Sequence, residues 1–158
     1  MNIQDAIIEG AKILKSKYIS SAHLDSEILM AKVINKDREY IALNLKKDID
    51  NKVLNSFQKL IVNRSLREPI SYITNKKFFW DSEFYVSCDT LIPRPDSELI
   101  VEIVLKLTKN KKKLHILDIG VGSGCLILSI LKDRQDFYGT GIDISKKCLN
   151  ISKINAVN

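Results

Sequence analysis

Residues 117 to 126 read LDIGVGSGCL. Gly120, Gly122 and Gly124 stand at alternate positions, a run that belongs in neither a helix nor a strand interior, where each glycine costs about 0.5–1 kcal/mol against alanine. It reads as a tight turn whose backbone is open to close approach. The apolar run Leu114 to Ile119 ahead of it predicts a short strand, and Cys125 to Leu131 behind it predicts a buried helix. Phe137 to Ile144 predicts a second strand ending in Asp143, and Ser145 is placed to cap a last helix through about Ala156. Strand, glycine turn, helix and strand with a terminal acid is the first half of a doubly wound nucleotide-binding sheet.

The ligand of such a turn follows by elimination. A dinucleotide fingerprint, G-x-G-x-x-G, would need glycine at position 125 after Gly120 and Gly122, and Cys125 stands there. A phosphate-cradling P-loop needs a lysine after its last glycine, and none follows. What remains is D-x-G-x-G-x-G, which suits a nucleoside without phosphate that carries an ammonium group; S-adenosylmethionine fits. Asp118 would take the ammonium and Asp143 the two ribose hydroxyls, as a second-strand acid does in other sheets of this kind. The alternative for the glycines alone is a tight turn with no ligand. Gly139 and Gly141, inside the second strand, are expected to let it bend or pack closely.

Upstream of the sheet the pattern is helical. Ile3, Ile7, Gly10 and Leu14, then Leu24, Ile28 and Ala31, then Val53, Phe57, Leu60 and Ile61 recur at helical spacing, with Ser20-Ser21 and Asp48 to Asp50 as N-cap candidates. His23 stands alone and is expected at the surface or in a cap. KKFFWDSEFYVS predicts a hairpin turning at Asp81-Ser82, and in LIPRPDSE Pro95 opens a helix whose apolar side is Leu99, Ile103 and Leu107, widened by Ile100 and Val104. The expected fold class is α + α/β: a helical bundle over 1–72, a hairpin linker over 73–90, and the first part of a Rossmann-like sheet over 91–158.

Composition narrows the classes further. With 45% hydrophobic and 28% charged residues the chain lies near the globular average, so disordered, fibrous and membrane classes fit poorly. No run approaches the ~20 apolar residues of a membrane helix, and the N-terminus MNIQDAIIEG lacks the pattern of a signal peptide. Cys88, Cys125 and Cys148 have no metal-ligand or C-x-x-C spacing, so reduced thiols, no metal site and a cytoplasmic location are expected. The net charge of +6 is spread along the chain, and its one dense run, Lys111 to Lys113, reads as a solvated connector rather than a nucleic-acid site.

Five segments, taken together, closely resemble the bacterial release-factor glutamine methyltransferases, the HemK family. They are HLDSEILMAKVINKDREYI (23–41), RSLREPISYI (64–73), LIPRPDSELIVE (91–102), LDIGVGSG (117–124), and Asp143 followed by Asn155 in a KINA stretch. Many methyltransferases share the glycine loop; the Pro-Arg-Pro segment at this distance from it is far more specific. Where the family usually has Glu-Thr-Glu, Asp96-Ser97-Glu98 stands, and Asn75 stands near a position commonly glycine. The resemblance implies methyl transfer from S-adenosylmethionine to the glutamine side-chain amide in the Gly-Gly-Gln motif of peptide chain release factors, in the cytoplasm, with the helical domain recognising substrate.

The same resemblance implies that Asp118, Gly120, Val121, Gly122, Ser123, Gly124 and Asp143 hold the cofactor. Arg94 or Glu98 would contact its methionine end, unless Pro95 and Glu98 only start a helix. The family's Asn-Pro-Pro-Tyr motif, which positions the amide nitrogen, does not occur in these 158 residues. No catalytic residue is therefore expected in them, and they are expected to be a piece of a longer enzyme or a shortened gene product, exposing an apolar strand edge at Leu114 to Ile119. Two other readings stay open: a catalytically silent remnant or protein-interaction module, and a nucleic-acid amino-methyltransferase.

Overall fold

The structure is a computed structural model that describes residues 1–157. It divides into two compact units, one over Met1–Thr74 and one from Asn75 onward.

The first unit is all helix: α1 (Ile3–Ser16), α2 (Ala22–Ile34), α3 (Arg38–Leu43), α4 (Asn51–Ser65) and α5 (Ile70–Thr74). Local chemistry sets where three of them begin. Asn2, Asp37 and Asp50 each accept, through the side chain, the N–H three residues on, at 2.8, 2.8 and 2.7 Å, and each such cap is worth about 1 kcal/mol. Ile7, Leu14, Leu29, Met30, Phe57 and Ile61 lie at the centre. The inward face of α2 differs from the Leu24, Ile28, Ala31 stripe: Leu24 is exposed, while Asp25 and Ser26 are buried beside Leu29 and Met30. Apolar periodicity passes over these two polar residues because it cannot see their partners. The Ser26 hydroxyl donates to the Ile7 carbonyl at 2.8 Å, and Asp25 faces Arg64.

Gly10 lets three helices meet. A Cβ there would stand 2.7 Å from Ser26 Oγ and 2.9 Å from both Ile61 Cδ1 and Phe57 Cζ. Gly10→Ala is therefore expected to destabilise the unit by about 1–3 kcal/mol, the range for overpacking, despite alanine's better helix propensity. Urea unfolding followed by circular dichroism measures it, and a stabilised variant would contradict the packing.

The second unit begins with the hairpin β1 (Lys76–Phe79) and β2 (Ser82–Tyr85). Phe79 pairs with Ser82, so the turn is Trp80-Asp81, one residue before the expected one. Trp80 takes the left-handed backbone (φ +58°) that such turns demand. Two ties hold it there: its backbone N–H donates to Glu98 Oε1 and its indole N–H to Asp133 Oδ2, both at 2.9 Å. Phe79 and Phe84 meet edge-on at 6.2 Å and enter one core with Val101, Ile130 and Phe137.

After a 3-10 turn at Pro95–Ser97 come α6 (Glu98–Leu107), β3 (His115–Ile119), α7 (Cys125–Asp133), β4 (Tyr138–Ile142) and α8 (Lys146–Val157). On α6 the buried residue is Val101, with Val104 and Leu105 packed on the core, whereas Leu99, Ile103 and Leu107 are exposed. This helix is apolar on two sides, and periodicity does not say which side packs. β3 and β4 are parallel, with Ile116 opposite Gly139 and Asp118 opposite Gly141. These four share one face by strand alternation. Cβ atoms on Gly139 and Gly141 would lie 2.6 Å from Leu131 Cδ1 and from Val121 Cγ2, respectively. The two strand glycines thus bring α7 and the loop down onto the sheet, the close packing expected of them. The opposite face carries Leu117 and Ile119, 57% and 76% exposed, and β4 is the one strand paired with β3 among the described residues. No helix of the described residues is long and apolar enough to cross a membrane.

Candidate functional site

The loop between β3 and α7 is held by its backbone. The N–H groups of Gly120 and Val121 both donate to the Ile142 carbonyl at the end of β4, at 2.8 and 2.9 Å. Gly120, Gly122 and Gly124 all have positive φ (+83°, +54° and +83°), a region that L side chains enter at a cost. Nothing lies within 4 Å of a Cβ built on Gly120, so that corner is open to a ligand. Gly124 is needed twice over, since its Cβ would also meet Leu128 Cδ1 at 2.9 Å and Ser152 Cβ at 3.3 Å. Val121 and Ser123 are buried beneath the loop.

Both strand-end acids reach this loop. Asp143 Oδ2 accepts the Gly122 N–H at 3.0 Å and Oδ1 accepts the Ser145 N–H at 2.8 Å. The two N–H groups, Ser145 first, hold the Asp143 carboxyl below its ordinary range. A carboxylate has about four acceptor sites, so this one keeps capacity for more donors. Asp118 behaves in the opposite way. Burial pushes its carboxyl above the ordinary value of 3.8; the Ile127 N–H in the first turn of α7 opposes that rise and the charge of Asp143 adds to it. Asp118 pairs with no cation among the described residues. The result is a half-buried carboxylate, next to a second one, that a cation would relieve. Burial likewise pushes the Cys125 thiol up, so it is not an activated thiolate.

Arg94 and Glu98 are not brought to the loop by any contact. The Arg94 side chain is exposed and makes no hydrogen bond or ion pair among the described residues. Glu98 opens α6 and is engaged with the Trp80 N–H of the hairpin turn. Asn155, to which the sequence pattern gives no role, does touch the loop: its side-chain N–H donates to the Ser123 carbonyl at 2.8 Å. Among the described residues no group of three or more His, Cys, Asp or Glu side chains could hold a metal ion.

Comparison with known proteins shows what the chain is similar to. Residues 5–74 match the family described as the PrmC N-terminal domain, a match that ends where the first compact unit ends. A release factor glutamine methyltransferase of Leptospira interrogans is 39% identical over 94% of this chain and 52% of its own length. One of Clostridium acetobutylicum is 36% identical over 98% of this chain and 54% of its own. Over the aligned residues the chain is similar to release factor glutamine methyltransferases. It is also 32% identical, over 98% of its length, to 34% of a bifunctional methyltransferase of Rickettsia conorii. The chain spans about half the length of the release factor glutamine methyltransferases it matches.

Proposed function

We propose that this chain binds S-adenosylmethionine at the β3–α7 loop. It then serves methyl transfer to the glutamine side-chain amide in the Gly-Gly-Gln motif of peptide chain release factors, a step of translation termination in the cytoplasm. The observation that carries this reading is identity of 39% over 94% of the chain to a relative named for that activity. The site's chemistry supports the cofactor. Asp118, half-buried and without a cation, would accept the ammonium; Asp143, with acceptor capacity to spare, would accept the ribose hydroxyls; the open corner at Gly120 admits a ligand against the backbone. When bound, the cofactor supplies an electrophilic methyl group on a positively charged sulfur. The residues of this chain would bind and orient it, with Val121, Ser123 and the glycines shaping the loop and Arg94 or Glu98 contacting the methionine end. The helical residues 1–72 would recognise the release factor, the hairpin of residues 73–90 would link them to the rest, and residues 91–158 would carry the cofactor.

Calorimetry of the purified chain with S-adenosylmethionine tests the cofactor half. Binding is expected, and Asp143→Ala is expected to weaken it roughly tenfold, by loss both of the ribose acceptor and of the Gly122 tie. A parent chain that gives no binding heat, or a variant that binds as tightly as the parent, would sink the proposal. The transfer half is tested by incubating the purified protein with labelled cofactor: label should enter an intact release factor and not one whose Gly-Gly-Gln glutamine is replaced by alanine.

A further inference from the structure

The structure assigns to Asn155 the role of positioning residue for the glycine loop. This inference rests on the proposed cofactor reading but begins from hydrogen bonds that stand without it. The carboxamide of Asn155, on α8, uses both of its N–H donors and its oxygen. Its Oδ1 accepts the Tyr85 N–H at 2.7 Å, and its Nδ2 donates to the Tyr85 carbonyl at 2.9 Å and to the Ser123 carbonyl at 2.8 Å. Towards Tyr85 it pairs as a neighbouring strand would, closing the outer edge of β2. Towards Ser123 it fixes the loop.

A peptide group is planar, so fixing one end of it aims the other. The peptide joining Ser123 to Gly124 is held from both sides, its carbonyl by Asn155 and its N–H by the Val121 carbonyl at 2.7 Å. The peptide joining Val121 to Gly122 is held by Asp143 through the Gly122 N–H. Between them, the Ser123 N–H makes no hydrogen bond among the described residues. Asn155 and Asp143 thus clamp the two peptides on either side of the one left for a ligand. Gly124 makes the clamp possible, because its missing Cβ lets Ser152 on the same helix approach, and Ser152 lies three residues from Asn155, on one face of α8.

Asparagine is specified by donor count. Two N–H donors and one acceptor are required at this length, and aspartate supplies no donor when ionised. Asn155→Asp would keep the bond to the Tyr85 N–H but turn a carboxylate oxygen towards the carbonyls of Tyr85 and Ser123. A residue that only fills space would tolerate that change; a positioning residue would not.

The test compares the full chain with Asn155→Ala and Asn155→Asp, by amide hydrogen exchange at Gly122 and Gly124 and by calorimetry with S-adenosylmethionine. Both variants should bind about tenfold more weakly, with faster exchange at Gly124 than in the parent, while the amides of α1 and α4 in the first unit keep their rates. Asn155→Asp should be no better than Asn155→Ala. If Asn155→Asp matches the parent, or if affinity falls while exchange at Gly124 is unchanged, the assignment is overturned. If the parent does not bind the cofactor yet Gly124 exchange still rises in the variants, the positioning role stands and the cofactor reading falls.

Discussion

Arg64→Ala is expected to cost the N-terminal unit about 3–5 kcal/mol, the range seen when one partner of a buried ion pair is removed. Arg64 Nε lies 2.6 Å from Asp25 Oδ2, its Nη1 donates to the Glu68 carbonyl at 3.0 Å, and the Ser21 hydroxyl donates to the same Asp25 oxygen at 2.9 Å. Asp25 is only 3% exposed, so loss of the guanidinium leaves a carboxylate that water cannot reach. A domain of this size has a total stability of only about 5–15 kcal/mol, so the loss would leave it close to unfolding. Arg64→Lys should recover part of the loss at most, because one ammonium cannot reproduce the fork that serves Asp25 and Glu68 together. Replacing Asp25 and Arg64 together with leucine should be less damaging than Arg64→Ala alone, since no uncompensated charge remains. Urea unfolding of the chain measures all three. A loss below about 1 kcal/mol for Arg64→Ala would place the pair among surface bridges and contradict its burial.

This pair also shows where the sequence could be read and where it could not. Arg64 is legible as part of RSLREPISYI, but its partner lies 39 residues earlier, on a helix whose apolar spacing points to another face. The charged residue in the first turn of α2 decides that helix's inward face, and only tertiary contact reveals it. The same limit appears on α6, where Leu99, Ile103 and Leu107 satisfy helical spacing as well as Val101 and Val104 do, yet the second set enters the core. Signals confined to a few residues carried over well. The Asp50 cap, the three loop glycines and the acid just past β4 depend on backbone geometry within a turn or two, and each stands where local chemistry puts it. The hairpin turn moved by one residue because Trp80, a poor turn former on its own, is tied down by Glu98 and Asp133 from distant parts of the chain. Asn155 is the sharpest instance, since nothing near it in sequence reveals that its amide reaches both a strand edge and a glycine loop.

Asp118→Asn is expected to move stability and cofactor affinity in opposite directions. Folding raises the Asp118 pKa above its ordinary 3.8, so the folded chain holds this proton more tightly than the unfolded chain does. By linkage, the cost of an ionised Asp118 is absent below the unfolded pKa, grows through the interval between the two values and is fully present above the folded one. At neutral pH asparagine removes that cost, and the ligand-free variant should be more stable than the parent; below the unfolded pKa the difference should vanish. Affinity should run the other way. A charge-assisted hydrogen bond is worth about 1.5–3 kcal/mol, so losing the carboxylate proposed to meet the ammonium should weaken S-adenosylmethionine binding by about 10- to 100-fold. In the parent the same affinity should fall as pH drops through the raised Asp118 pKa, while in the variant that part of the pH dependence should disappear. Thermal melts and calorimetry across about pH 3–7 give both curves. A variant that is less stable than the parent at pH 7 and binds equally well would mean that Asp118 is a structural carboxylate, not one strained in wait for a cation.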